Sequence, residues 1–212
     1  MPVFRAGKDQ APRWCELEEF EFIAIKPGES RQFTKRTAKE ELIVCRGNVA
    51  VTCGGLEIAL TEGGKIDLNM SGKAEYSISG QHGEPLICRL MGRWKSITSS
   101  GIFSVQTAEP PKHDTPYSYK KTTRFDNHYH DCDEYWLVFE GEAAVASEGK
   151  LYDVKPGDCV ATGMGWHHDV VSLKGGNPLR AVWFEGTLEG GKRTGHLWEP
   201  QHGKAMQMID RQ

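Results

Sequence analysis

The chain has 212 residues, 38% of them hydrophobic and 26% charged, with 26 Lys+Arg against 29 Asp+Glu and a formal net charge of −3. A chain of this size buries a sizeable core in one large or two small domains, and its composition excludes disorder and collagen-like order. The lack of a basic excess argues against nucleic acid as a partner, and no run approaches the ~18 to 20 continuous apolar residues that cross a bilayer. The start MPVFRAGKDQAPRW has no apolar core of the signal-peptide kind, so a cytoplasmic location is expected. The six cysteines (Cys15, Cys45, Cys53, Cys88, Cys132 and Cys159) form no CxxC pair, which points to reduced thiols rather than a disulfide frame or a cysteine zinc site.

Along the chain, 24 glycines and ten prolines punctuate short β-branched and aromatic runs about every ten residues, an all-β pattern. In the first half, ELIVCRG and then NVAVTCG alternate as strands ahead of a turn, and hairpins joined by short glycine turns are expected. The stretch EPPKHDTPYSYKK, from Glu109 to Lys121, carries three prolines and reads as a linker or lid. EYWLVFEG and EAAVASEG then repeat the strand pattern around Gly141, and beyond Gly190 the tail has no clear period. Six to eight strands per unit without a helical period predict a sandwich or jelly-roll barrel.

The halves superpose. Glu40 and Gly47 in the first match Glu134 and Gly141 in the second at an offset of 94 residues (134 − 40 = 141 − 47), and Gly63 matches Gly157 at the same offset. Pro85 finds Pro178 at an offset of 93 (178 − 85). A period of this length implies duplication of a small domain rather than a solenoid. The expected boundaries are an N-terminal unit over 1–98, a C-terminal unit over 99–190 and a tail over 191–212.

The densest chemistry lies in NHYHDCDE. On a strand, residues two apart face one side, so His128 and His130 present two imidazoles together, and Glu134 supplies a carboxylate four residues on. The second cluster, Gly163 to His168, offers another imidazole in His168; His167 has the opposite parity. Three imidazoles and one carboxylate suit a divalent Mn, Fe, Co, Ni or Zn ion rather than a soft thiolate site. Trp136 shares parity with Glu134 and Trp166 with His168, so these indoles either flank the cavity as stacking faces or are ordinary core. Arg124 and Asp126 share parity with His128; they either touch a polar substrate or pair with each other. His113, His196 and His202 read as surface-loop residues, and Cys132 as a turn thiol near the metal.

With these residues the sequence resembles the cupin superfamily, specifically a bicupin. The first cupin motif, G-x5-H-x-H-x3,4-E-x6-G, is met by His128, His130, Glu134 and Gly141, with Thr122 in place of the leading glycine. The second, G-x5-P-x-G-x2-H-x3-N, is met by Gly157, Gly165 and His168, with Gly163 for the proline and Ser172 for the asparagine. The resemblance implies two tandem jelly-roll barrels of the RmlC-like type, with one divalent metal in the C-terminal barrel. In the first half Thr34, Arg36 and Ala74 stand where the imidazoles would be and only Glu40 remains, so that barrel is expected to be degenerate and metal-free.

Two octahedral positions left open by such a ligand set would bind adjacent oxygens of a small polar substrate. That supports Lewis-acid isomerisation, epimerisation or lyase chemistry on a sugar-like compound or a hydroxy or keto acid. A non-haem metal dioxygenase and a non-catalytic binding module are the alternatives. A homodimer is expected, since symmetric dimers are the commonest oligomers and strand edges are ready to pair.

Overall fold

A computed structural model describes residues 3–72, 74–95, 98–106, 128–186 and 195–209. The chain divides into two compact units, one made of Met1–Arg5, Pro12–Cys15 and Lys95–Gln212, the other of Ala6–Ala11 and Glu16–Trp94. This differs from the boundaries read in the sequence at the N-terminus. Strand β1 (Val3–Arg5) pairs antiparallel with a strand of the C-terminal unit, Phe4 opposite Cys159, and Arg5 Nε donates to Asp158 Oδ1 at 2.9 Å. Three residues are too short a run for alternation to announce their partner.

The N-terminal unit is a six-stranded antiparallel sheet of β2 (Leu17–Ala24), β3 (Ser30–Thr34), β4 (Lys39–Cys53), β5 (Leu56–Leu60), β6 (Lys65–Asp67) and β7 (Glu75–Gly92). ELIVCRG and NVAVTCG are the two halves of one strand, β4, which pairs with β7 along its whole length from Lys39↔Gly92 to Cys53↔Tyr76, and the glycine turn after NVAVTCG joins β4 to β5 as a hairpin with Cys53 opposite Leu56. The register shifts between Val44 and Val49, and Gly47 at φ +71° takes the bend. Ile23, Leu42, Val44, Val51, Ile78 and Ile87 fill the core enclosed by the curled sheet.

The C-terminal unit adds β8 (Ser99–Val105), β9 (Glu134–Glu140), β10 (Glu142–Ser147), β11 (Lys150–Val154), β12 (Asp158–Thr162), β13 (His168–Lys174) and β14 (Leu179–Glu185). With β1 they make a five-stranded sheet in the order β1-β12-β9-β14-β8 and a three-stranded sheet in the order β11-β10-β13. Between EYWLVFEG and EAAVASEG the chain leaves one sheet after β9 and joins the other as β10. Gly141 makes this corner at φ +76°, and a Cβ there would lie 2.0 Å from the carbonyl oxygen of Pro178. A real hairpin follows: Ser147 pairs with Lys150 across Glu148 and Gly149, at φ 53° and 72°, the two positive values a two-residue primed turn needs. Val138, Val145, Val160, Val170 and Ala181 lie between the sheets as core. The fold is all-β, of the jelly-roll kind. The 3-10 turn Leu68–Ser71 and α1 (Glu199–His202) are single turns, and no helix among the described residues is long and apolar enough to cross a membrane.

Candidate metal centre

His128 and His168 face each other in a β-bridge: His168 N donates to His128 O at 3.0 Å and His128 N to His168 O at 3.4 Å. His130, two residues on, holds the loop before β13 through its carbonyl, which accepts from Gly165 N at 2.9 Å. That loop is pinned again where Met164 N donates to Asp133 Oδ1 at 2.8 Å. Glu134 opens β9 opposite Thr162 on one side and Glu185 on the other. So the two histidine segments and the strand bearing the carboxylate are tied by backbone bonds before any side chain is considered.

One atom from each of His128, His130, Glu134 and His168 lies within 4.8 Å of all the others, and the four residues are at most 5% exposed. His168 Nε2 approaches Glu134 Oε2 at 2.7 Å, His130 Nε2 approaches the same oxygen at 3.3 Å, and the Nε2 atoms of His128 and His130 are 3.1 Å apart. His130 Nδ1 faces the Gly195 carbonyl at 3.1 Å and His168 Nδ1 the Trp166 carbonyl at 3.3 Å. A carbonyl only accepts, so both Nδ1 atoms carry the hydrogen and both Nε2 lone pairs turn to the centre. Glu134 Oε2 and His168 Nε2 are buried and complete no hydrogen bond. Two such acceptors facing each other at 2.7 Å are the condition a cation relieves, and imidazole nitrogen with carboxylate oxygen is a divalent transition-metal donor set.

The electrostatics agree with that donor role. Burial holds the His128 imidazole well below its ordinary value, and His168, His196 and His130 push the same way. Burial lowers His168 too, against the pull of Glu134. Burial would raise the Glu134 carboxyl, but His130 and His168 beside it outweigh this and hold it well below the carboxylate range. Neutral imidazoles and an ionised carboxylate are the forms that coordinate.

Around this cluster the other sequence-derived residues separate. Trp136 packs edge-on against the His168 ring at 5.0 Å and against Phe103 at 5.4 Å, within the inter-sheet core. The Trp166 indole instead donates through Nε1 to Met208 O at 3.3 Å, while its carbonyl serves His168. The half-buried His167 turns its ring to Tyr129, 5.4 Å away. Arg124 and Asp126 lie outside the described residues, as does His113.

Nothing in the sequence signals the tail's part. Leu197 pairs with Tyr129 in an antiparallel bridge, and Tyr129, Leu197 and Ala205 bury one another. This brings His196, expected on a surface loop, onto the centre: its ring stacks on His128 with centroids 3.8 Å apart and planes 13° apart. Trp198 stands next to it, 5.7 Å away. Glu185 was also missed, although it follows Glu134 into register across β9 and β14; its Oε1 lies 3.7 Å from His130 Nδ1. His130, Cys132 and Glu185 form a second group within 4.8 Å, sharing His130 with the first.

In the N-terminal unit Glu40 is fully buried and meets a guanidinium. Arg89 approaches Glu40 Oε2 through Nε at 2.9 Å and Nη2 at 2.8 Å, and Nη2 also donates to Thr34 O at 2.7 Å. Thr37 N donates to Glu40 Oε1 at 3.3 Å, as does Arg36 N. The Phe33 and Tyr76 rings lie 5.7 and 5.6 Å from the Arg89 guanidinium carbon.

Residues 117–185, the segment that contains all four clustered side chains, match the family model described as Cupin domain. This segment is therefore a cupin domain, in keeping with the jelly-roll fold. The chain is 37% identical over 207 residues to the uncharacterized protein y4oW of Sinorhizobium fredii, an alignment covering 97% of this chain and 94% of the relative. Its fold is similar to that of Bacillus subtilis oxalate decarboxylase, a protein with Mn(II) centres, at a TM-score of 0.55 and 12% identity over 79% of this chain and 68% of that one. It is also similar to a Lactobacillus farciminis oxalate decarboxylase formate complex, with a TM-score of 0.55 and 12% identity, covering 79% and 76% of the two chains.

Proposed function

We propose that this cupin is a metal-dependent enzyme in which His128, His130, Glu134 and His168 hold one divalent transition ion, and that it acts on a small polar substrate, a hydroxy or keto acid or a sugar-like compound. The convergence of buried Nε2 and Oε2 lone pairs carries the reading. When bound, the ion would supply Lewis-acid polarisation of a substrate oxygen, favouring proton transfer in isomerisation, epimerisation or lyase chemistry. The chain's part is to hold the imidazoles as neutral donors through the Gly195 and Trp166 carbonyls and to keep bulk water from the four ligands by burying them. Mn(II) is the first ion to test, because this donor set accepts it and a protein of the same fold carries it.

We read the N-terminal unit as a degenerate second barrel in which the Arg89 guanidinium neutralises the one remaining carboxylate, Glu40, leaving that unit metal-free. We also propose a homodimer; the edge strand β5 leaves Leu56 70% and Ile58 40% exposed, the kind of edge that pairs with another copy.

Elemental analysis of the purified chain tests the metal, with one ion per chain expected for the wild type and loss of it in His130→Ala and His168→Ala. An oxygen electrode and a panel of hydroxy acids, keto acids and sugars then separate the chemistries. Turnover without oxygen uptake supports the proposal, oxygen uptake replaces it with a dioxygenase, and ligand binding without turnover replaces it with a binding module. Light scattering at the monomer mass across micromolar concentrations would remove the dimer.

A further inference from the structure

In the N-terminal unit the strand β5 ends the sheet with an apolar row that the core does not cover. Among the described residues β5 has a neighbour on one side, β4, with Cys53 opposite Leu56, Val51 opposite Ile58 and Val49 opposite Leu60. Val49, Val51 and Cys53 belong to the core, so Leu56, Ile58 and Leu60 lie on the core-facing side of the sheet. Leu60 packs against that core. Leu56 and Ile58 run past it into solvent, 70% and 40% exposed.

The C-terminal unit supplies the comparison. At the 94-residue offset β5 corresponds to β11 (56 + 94 = 150, 60 + 94 = 154), which also ends its sheet, and there Lys150 and Asp153 stand where β5 has Leu56 and Ala59. Asp153 pairs with Lys174 at 2.7 Å, and the exposed Leu151 shares its face with Ala146, away from Val145 and the core. Charges along an edge are a usual protection against pairing with another chain. β5 has one charge, Glu57, with no lysine, no proline and no shift of register against β4.

The backbone of β5 fixes what can dock on it. The two-residue turn Gly54-Gly55, with φ of 62° and 83°, closes the hairpin at Cys53 and Leu56. From that closing pair the ladder alternates, so Leu56, Ile58 and Leu60 turn their N–H and C=O groups to β4, and Glu57 and Ala59 turn theirs outward. The sequence L-E-I-A-L reads alike in both directions at its apolar positions. A second β5 laid antiparallel about Ile58 puts Ile58 against its own copy, Leu56 against Leu60 and Glu57 against Ala59, with no like charges directly opposite. The outward groups of Glu57 and Ala59 then satisfy one another across the edge, while the aliphatic side chains of both copies meet on one face. A copy of this chain supplies both matches by two-fold symmetry alone. We propose that the homodimer forms by edge-to-edge addition of β5, which joins the N-terminal sheets of two copies across a two-fold axis at Ile58. The inference rests on the homodimer reading above and adds to it the register and the exclusion of the equivalent edge β11.

Sedimentation velocity of the full chain across micromolar concentrations reads the dimer. Ile58→Lys sets two like charges face to face, and Ala59→Pro removes an outward N–H from each copy, a change that an edge strand tolerates. Both should keep the near-UV circular dichroism of the wild type and weaken the dimer about tenfold or more. Leu151→Lys, the corresponding change on β11, should leave the dissociation constant within about threefold. Single added cysteines read the register, since the six native ones are buried. With diamide as oxidant, Ile58→Cys should crosslink two copies, because residues facing each other in such a pair stand ~4.5 Å apart at Cα, within disulfide reach. Glu57→Cys should not, its copy lying diagonally ~7 to 8 Å away. A dimer that both Ile58→Lys and Ala59→Pro leave intact overturns this inference alone and gives the interface to another surface. If one of the two unfolds, the other and the crosslink decide. Loss of the dimer in Leu151→Lys assigns it to β11 and overturns the inference as well, and crosslinking through Glu57→Cys in place of Ile58→Cys overturns the register. A wild-type chain at the monomer mass throughout overturns the homodimer reading, and this inference with it.

Discussion

Arg89 Nη2 lies 2.8 Å from Glu40 Oε2 in the N-terminal unit, while Glu134, 94 residues on (134 − 40), meets His130 and His168 instead of a guanidinium. Opposite Glu40 across the sheet stands Met91, where Glu134 has Glu185. A buried carboxylate needs a positive counterpart in either place. One unit carries its cation covalently, on a side chain beside the stacked Phe33 and Tyr76 rings, and the other gathers three imidazoles around the carboxylate in a set whose chemistry suits a divalent ion.

Replacing Arg89 by Ala would strand the Glu40 carboxylate without its partner, and the expected cost is about 3–5 kcal/mol of stability, the range for breaking a buried pair from one side. The double variant Arg89→Met with Glu40→Gln should recover a large part of it, because no buried charge is left over. Urea denaturation of the metal-free chain reads both. A loss below about 1 kcal/mol for Arg89→Ala would mean that water reaches Glu40 and that the pair is not structural.

Gly141 and Gly149 test the corner against the hairpin, since both have positive φ, 76° and 72°, but different surroundings. A Cβ at Gly141 would collide with Pro178 O at 2.0 Å, whereas nothing lies within 4 Å of one at Gly149. Gly149→Ala should cost about 1–2 kcal/mol, the backbone penalty alone. Gly141→Ala should cost clearly more, and a matching pair of midpoints in thermal unfolding would show that the corner relaxes at no penalty. In the other half a Cβ at Gly47 would lie 2.9 Å from His82 O and 3.0 Å from Pro85 Cα and N, so the repeat read in the sequence marks two places where a glycine packs against a proline segment.

The spacing of His128, His130, Glu134 and His168 was legible through the cupin motifs, and the structure brings the four side chains together, although His128 and His130 precede β9 rather than lying within a strand. Parity failed at Trp166 for a physical reason. β13 begins at His168, so Trp166 sits in the loop ahead of it, where alternation of faces does not hold, and its indole goes to Met208. The hairpins at glycine turns were legible at Gly54-Gly55 and Glu148-Gly149, whereas the glycines at 47 and 141 mark places where one strand bends or the chain changes sheets. His196 had no signal at all: the tail is held by single bridges such as Leu197↔Tyr129, too short to leave a period.

Trp136 is expected to behave as core. It is 8% exposed, sits among Val138, Val160 and Ala181, and touches Phe103 and His168 by its rim. Trp136→Ala should therefore lower stability by about 3–5 kcal/mol, while Trp136→Phe costs less and keeps the metal content at one ion per chain. If Trp136→Ala left the unfolding midpoint unchanged and weakened only a ring-shaped ligand, the indole would be a wall of the substrate cavity after all.

The metal-free chain should lose stability steadily as the medium is acidified below neutrality. His128 and His168 are lowered from the ordinary 6.5 in the fold, chiefly by burial. Above about pH 6.5 the imidazoles are neutral in both states and contribute no pH dependence. Below it the unfolded chain takes up protons that the folded chain refuses, so the free energy of unfolding falls by at most about 1.4 kcal/mol per pH unit for each histidine until its folded value is reached. Glu134, held below 4.5 in the fold, adds a loss in the same direction once the pH drops under that value, because the unfolded carboxylate then binds a proton first. Urea denaturation at pH 7.5, 6.5 and 5.5 with chelator present reads the slope, and His128→Gln should flatten part of it. A stability that is level from pH 7.5 to 5.5 would mean that the imidazoles take up protons in the folded chain as readily as in the unfolded one, against the burial that surrounds them.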